Sequence, residues 1–121
     1  MENNQSPGAA GEPVELAGVE DVGPYVKGER KTLAMFELTG CPYCRAFLPR
    51  FLEFCSGHPG EYDFLRVKLD DPGNPLWSKF DIIAVPTVIV FSRGAVVARA
   101  DAALGLGLSK KKWGEFCASL R

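Results

Sequence analysis

The sequence predicts an α/β domain, and two observations carry that prediction. Strand-like and helix-like segments alternate along most of the chain, and a hairpin and a helix close it. Two apolar runs, at 32–38 and 85–91, read as strands buried on both faces, as strands covered by helices on each side must be. Residues 1–12 (MENNQSPGAAGE) are polar and glycine-containing and read as a flexible lead-in, so the domain is expected to span 13–121. Residues 13–16 form a short first strand. Val19, Val22, Tyr25 and Val26 then fall on one face of a helix over 19–27, with Pro24 bending it. The strand at 32–38 carries one intruding charge, Glu37. Gly40-Cys41-Pro42 turns the chain into a helix over 42–56, because proline suits the first helical position. Pro49 kinks that helix, and Ser56-Gly57-His58-Pro59-Gly60 ends it. A partly alternating strand (62–69), turn chemistry at 70–75 and a short helix (76–80) follow. Ser92-Arg93-Gly94-Ala95 joins the strand at 85–91 to another at 96–100. Ser109 caps a last helix, 110–120, whose inner face is Trp113, Phe116, Cys117 and Leu120.

The 121 residues suit one core, and 46% hydrophobic with 24% charged residues is ordinary globular composition. A formal net charge of −1 removes the basic footprint of a general nucleic-acid or anionic-membrane binder. The longest apolar run, at 82–91, is interrupted by Pro86 and is far shorter than the ~20 residues of a membrane helix. The start carries neither a basic nor an apolar signal segment. The chain as given is therefore expected in the cytoplasm, with no nucleic-acid or membrane partner, as a monomer.

Four cysteines are too few and too scattered for a disulfide framework, and a single close pair with one histidine, His58, does not make a zinc site. The pair itself, Cys41-Pro42-Tyr43-Cys44, is the informative feature. At i and i+3 on a helix the two Cα atoms lie roughly 5–6 Å apart, the span of a disulfide. Cys41, at the helix tip, faces water and the unpaired N–H groups that favour a thiolate, while Cys44 lies one turn in. That asymmetry makes Cys41 the nucleophile and Cys44 the resolving thiol of a Cys41–Cys44 redox disulfide, with no cofactor. Cys55 and Cys117 read as small apolar core residues, a disulfide between them being the alternative, and Trp77 and Trp113 as packing residues.

Pro86 lies 42 residues after Cys44, in Ala84-Val85-Pro86-Thr87, at the entry of a buried strand. With the dithiol, Arg45, Pro49, Asp70, Gly94 and Leu108-Ser109-Lys110, this pattern resembles the thioredoxin family over residues 13–121. The resemblance implies a thioredoxin fold, a central mixed sheet of four to five strands flanked by helices on both faces. It also implies a cis Pro86, and a substrate site of Pro42, Tyr43, Val85, Pro86 and Thr87, with Val85 pairing an extended substrate backbone. Gly94 and Gly105 or Gly107 would shape the rim around Cys41. The implied activity is reduction of protein disulfides, with a thioredoxin reductase or glutathione as electron donor.

The departures matter as well. Pro-Tyr is the glutaredoxin dipeptide and implies a potential above the roughly −270 mV of thioredoxin. It leaves a glutathione-dependent reductase, and a non-catalytic interaction or chaperone module, as alternatives. Tyr43 either covers the disulfide and meets substrate or contacts glutathione. Met35 occupies the place of the family's buried acid. Glu37, two residues on and on the same strand face, is the candidate proton relay, with Arg66 where the family has the partner lysine; a structural ion pair or a solvent-reaching Glu37 is the other reading.

Overall fold

The computed structural model describes residues 8–121. Its described elements run β1 (Val14–Leu16), α1 (Val19–Lys27), β2 (Thr32–Glu37), α2 (Pro42–Gly57), β3 (Asp63–Lys68), α3 (Leu76–Lys79), β4 (Thr87–Ser92), β5 (Ala95–Asp101) and α4 (Lys110–Ser119). The strands form one mixed sheet in the order β1-β3-β2-β4-β5. β1 and β2 each run parallel to β3, and the β2–β4 and β4–β5 pairs are antiparallel.

Alternation along β2 divides the core. Leu33 and Met35 face one layer, where Cys44, Phe47, Phe51 and Cys55 of α2 meet Trp113 and Phe116 of α4. Ala34 and Phe36 face the other, with Val22 and Val26 of α1, Leu76 of α3 and Phe80 just beyond it. Both faces of β2 and β4 are therefore dry, as their unbroken apolar runs require. Trp113 packs edge-on to Phe47, their centroids 4.8 Å apart. Cys55 and Cys117 are unpaired thiols of the α2/α4 layer.

Three expectations change. Residues 8–11 are not a free lead-in. Ala9 is buried, Gly8 C=O accepts from Phe64 N–H at 3.2 Å, and Ala9 C=O accepts from Gly60 N–H at 2.6 Å. β1 pairs with β3 only from Leu65 onward, so the Phe64 donor needs another acceptor. A Cβ on Gly8 would sit 2.8 Å from the Phe64 carbonyl, which leaves room for glycine alone. Residues 1–7 lie outside the described residues. Second, β4 begins at Thr87, because Pro86 has no N–H for the ladder. Third, Gly94 is not beside Cys41. It occupies the β4–β5 turn with Arg93, both at positive φ, and its N–H donates to Val26 C=O of α1.

Phe36 is fully buried and contacts Phe80 and Phe91. Phe36→Ala is expected to cost roughly 3–5 kcal/mol in denaturant unfolding; a loss below about 1 kcal/mol would mean this layer is not tightly packed.

Candidate active site

The site forms where β2 hands over to α2. The Thr39 N–H and hydroxyl each donate to a different oxygen of Asp70, both at 2.7 Å, which ties the loop to the end of β3. Gly40 has φ of 81°, a value that lets the chain reverse into the helix. Cys41 is the N-cap: its Sγ accepts from Cys44 N–H at 3.2 Å, and its carbonyl accepts from Arg45 N–H at 3.0 Å. Pro42 takes the first helical position, where its missing donor is harmless. Cys41 is half-buried and Cys44 is buried. Burial above all, then the hydrogen bond and charge of the neighbouring Cys41, with Glu37 adding least, push the Cys44 thiol up to about 12 against a lowering bond to the Leu38 backbone.

The loop 84–87 supplies a second wall. The Val85–Pro86 peptide is cis. Thr87 Oγ1 donates to Ala84 C=O at 2.7 Å, and Pro86 C=O accepts from Ala102 N–H. Cys41, Ala84 and Val85 pack against the same apolar layer. Among the described residues, no turn or loop hydrogen bond uses the Val85 N–H or C=O.

Below the dithiol lies a cavity of about 160 Å³ whose wall includes Cys41, Cys44, Glu37, Arg66 and Lys68. Glu37 points to the α2 side of the sheet, as its parity with Met35 requires. It is buried and does not reach solvent. Arg66 Nε and Nη2 donate to its two oxygens at 2.7 and 3.0 Å, and Lys68 Nζ is 3.6 Å away. The bidentate Arg66 pair is charge-assisted and geometrically fixed. Met35, in the place of the family's acid, is fully buried in the α2/α4 layer.

Tyr43 turns away from the thiols: its hydroxyl donates to Gly105 C=O at 2.6 Å, and its ring lies against Gly107. Sequence reasoning missed what surrounds that contact. Ile83, Leu104 and Leu106 are exposed large aliphatics. Among the described residues, His, Cys, Asp and Glu form no metal-binding group, and no helix is long and apolar enough to cross a membrane.

The two hydrogen bonds from Thr39 hold the Asp70 carboxyl below the usual carboxylate range. A depressed folded value stabilises the fold above the unfolded carboxylate pKa, and that contribution disappears as pH falls through the folded value. The difference in Tm between wild type and Asp70→Ala is thus expected to hold above about pH 5 and to shrink progressively as pH falls below it; a difference that stays constant on acidification would show that the Thr39 bonds do not favour the ionised carboxyl.

No protein-family profile matches the chain. It is 30% identical over 73 residues to a thioredoxin from Alicyclobacillus acidocaldarius subsp. acidocaldarius, an alignment covering 60% of this chain and 68% of that one. Among solved structures, thioredoxin f from spinach chloroplast (short form) superposes with a TM-score of 0.75 at 18% identity, covering 97% of this chain and all of that one. A chain from the complex of ferredoxin:thioredoxin reductase with thioredoxin f2 superposes with a TM-score of 0.72 at 16% identity, covering 93% and 94%. These structures show the same fold, and together with the bacterial relative they establish that the chain belongs to the thioredoxin family and is a thioredoxin-like thiol–disulfide oxidoreductase.

Proposed function

We propose that the chain reduces protein disulfides, with Cys41 attacking and Cys44 resolving. The observation that carries this reading is the asymmetry of the two sulfurs: Cys41 is partly open at a helix tip and accepts an N–H bond, whereas Cys44 is buried. The Cys41 thiolate attacks one sulfur of the substrate disulfide. That S–S bond breaks, the other substrate sulfur leaves as a thiolate and takes up a proton, and a Cys41–substrate disulfide forms. Cys44 then loses its proton and attacks Cys41 Sγ, releasing the second substrate thiol and leaving a Cys41–Cys44 disulfide. Two electrons have passed from the dithiol to the substrate.

Pro42, Val85 and Pro86 form the substrate wall, and the Val85 N–H and C=O pair with an extended substrate backbone. Thr87, expected there too, is fully buried at the start of β4 and instead holds the loop through its bond to Ala84 C=O. Glu37 takes the proton from Cys44. This role is supported by its burial on the wall of the shared cavity and by its charge acting on that thiol. The bonds from Arg66 also make it an ion pair of the fold, so the relay and the structural role coexist.

A reductase of the thioredoxin reductase type returns the electrons; the support for this donor class is that one similar solved chain comes from a complex of ferredoxin:thioredoxin reductase with thioredoxin f2. A glutathione-driven cycle gains no comparable support, because the Tyr43 hydroxyl is already bonded to Gly105. The protein works in the cytoplasm, a setting that suits a disulfide-reducing dithiol accompanied by two thiols, Cys55 and Cys117, that stay unpaired in the α2/α4 layer. One copy carries every group the exchange uses.

Dithiothreitol-driven reduction of insulin tests the reading: the wild type is expected to turn over, and Cys41→Ser to fall to the uncatalysed rate. Turnover retained in Cys41→Ser would overturn it. Glu37→Gln is expected to slow turnover about a hundredfold. Removing a negative charge that raises Cys44 also moves the ionisation of that thiol, and the limb of the pH profile it sets, to lower pH. An unchanged rate and profile would remove Glu37 from the proton path.

A further inference from the structure

Tyr43 lies between the two cysteines, yet its polar end is bonded to a loop far along the chain. Its hydroxyl donates to Gly105 C=O at 2.6 Å, and a Cβ added to Gly107 would come within 2.8 Å of its ring. The loop is a tight turn. Leu106 and Gly107 N–H both donate to Ala103 C=O, Ala103 N–H donates to Gly107 C=O, and Gly105 and Gly107 adopt φ of 74° and 77°.

This turn holds Leu104 and Leu106 outward, 73% and 78% exposed, while Ile83, on the loop before Pro86, is 74% exposed. Ile83 and Leu104 line one groove, and Leu106 stands on the same turn as Leu104, an arrangement that favours an apolar partner group. A groove of about 430 Å³ runs between Ile83 and Leu104, with Asp81, Arg99 and Asp101 on its walls. Arg99 bonds both Asp101 carboxylate oxygens and also donates to Asp81 C=O. Among the described residues, Lys112 reaches only the Asp101 backbone carbonyl. Among the described residues, the Asp81 carboxylate is thus the groove's surplus charge, complementary to a basic side chain.

We propose that Tyr43 is a positioning residue. It fixes the 103–107 turn so that Leu104, Leu106, Ile83 and Asp81 select substrate segments carrying an apolar side chain beside a basic one. The proposal rests on the reading of the chain as a protein-disulfide reductase and adds the substrate class.

Two cystine peptides identical except for Leu-Lys or Leu-Glu beside the disulfide test it, with the neutral bis(2-hydroxyethyl) disulfide as a small probe and dithiothreitol as donor, since an aliphatic disulfide exchanges only slowly without a catalyst. At low salt, kcat/KM is expected to favour the Lys peptide about tenfold, carried by KM and shrinking as salt rises. Asp81→Asn should remove most of that preference. Leu104→Ser/Leu106→Ser should lower the ratio of peptide to small-probe kcat/KM about tenfold. Tyr43→Phe keeps the ring and loses the strut: KM for both peptides should rise several-fold, and the Leu106 and Gly107 amides should exchange hydrogen faster. Equal kcat/KM on the two peptides, or a Tyr43→Phe protein with unchanged KM and exchange, overturns the proposal while leaving the dithiol chemistry standing. A wild type inert toward all three substrates overturns the reductase reading, and this proposal with it.

Discussion

A single hydrogen bond, from the Cys44 amide to the Cys41 sulfur, is the constraint that organises the rest of the molecule. It exists because Cys41 caps α2, and a cap works only if the chain arrives from β2 at the right angle. Gly40 supplies the positive φ for that arrival, Asp70 clamps Thr39 from the end of β3, and Pro42 starts the helix without a wasted donor. α2 is then held down through Phe47 and Phe51, whose layer is closed by α4. Sheet order, helix placement and loop chemistry thus converge on one sulfur at a positive helix end.

The second sulfur is governed by different physics. Cys44 sits one turn deeper, where loss of water opposes its ionisation, and the charge of Glu37 adds to that opposition. A buried carboxylate costs free energy unless it is paired, and Arg66 meets it bidentately with Lys68 nearby. The pair crosses between neighbouring parallel strands, where Met35 registers with Arg66 and Glu37 with Lys68. One arrangement thereby lets a carboxylate exist beneath the dithiol while burial keeps the Cys44 thiol protonated at rest.

Much of this was legible in the sequence, for identifiable reasons. The β2 and β4 runs are apolar on both faces, so their burial reads directly from composition, and the dithiol reads from its spacing at a strand-to-helix turn. Glu37 was legible because period-two alternation puts it on the side of Met35. What escaped depends on contacts between distant residues. The bond from Tyr43 to Gly105 joins positions 62 apart, and nothing local announces it. Gly8 and Ala9 look like linker residues until the unpaired donor at Phe64 is seen. Gly94 matched a family pattern in sequence, but strand direction carries it to the turn against α1.

Competitive alkylation tests the sulfur asymmetry most directly. The reduced protein, treated briefly with iodoacetamide near neutral pH and mapped by mass spectrometry, should carry label on Cys41 at least about a hundredfold faster than on Cys44, Cys55 or Cys117. Label arriving at Cys44 as fast as at Cys41, or a Cys41 as inert as the core thiols, would contradict a helix tip built to expose one activated sulfur.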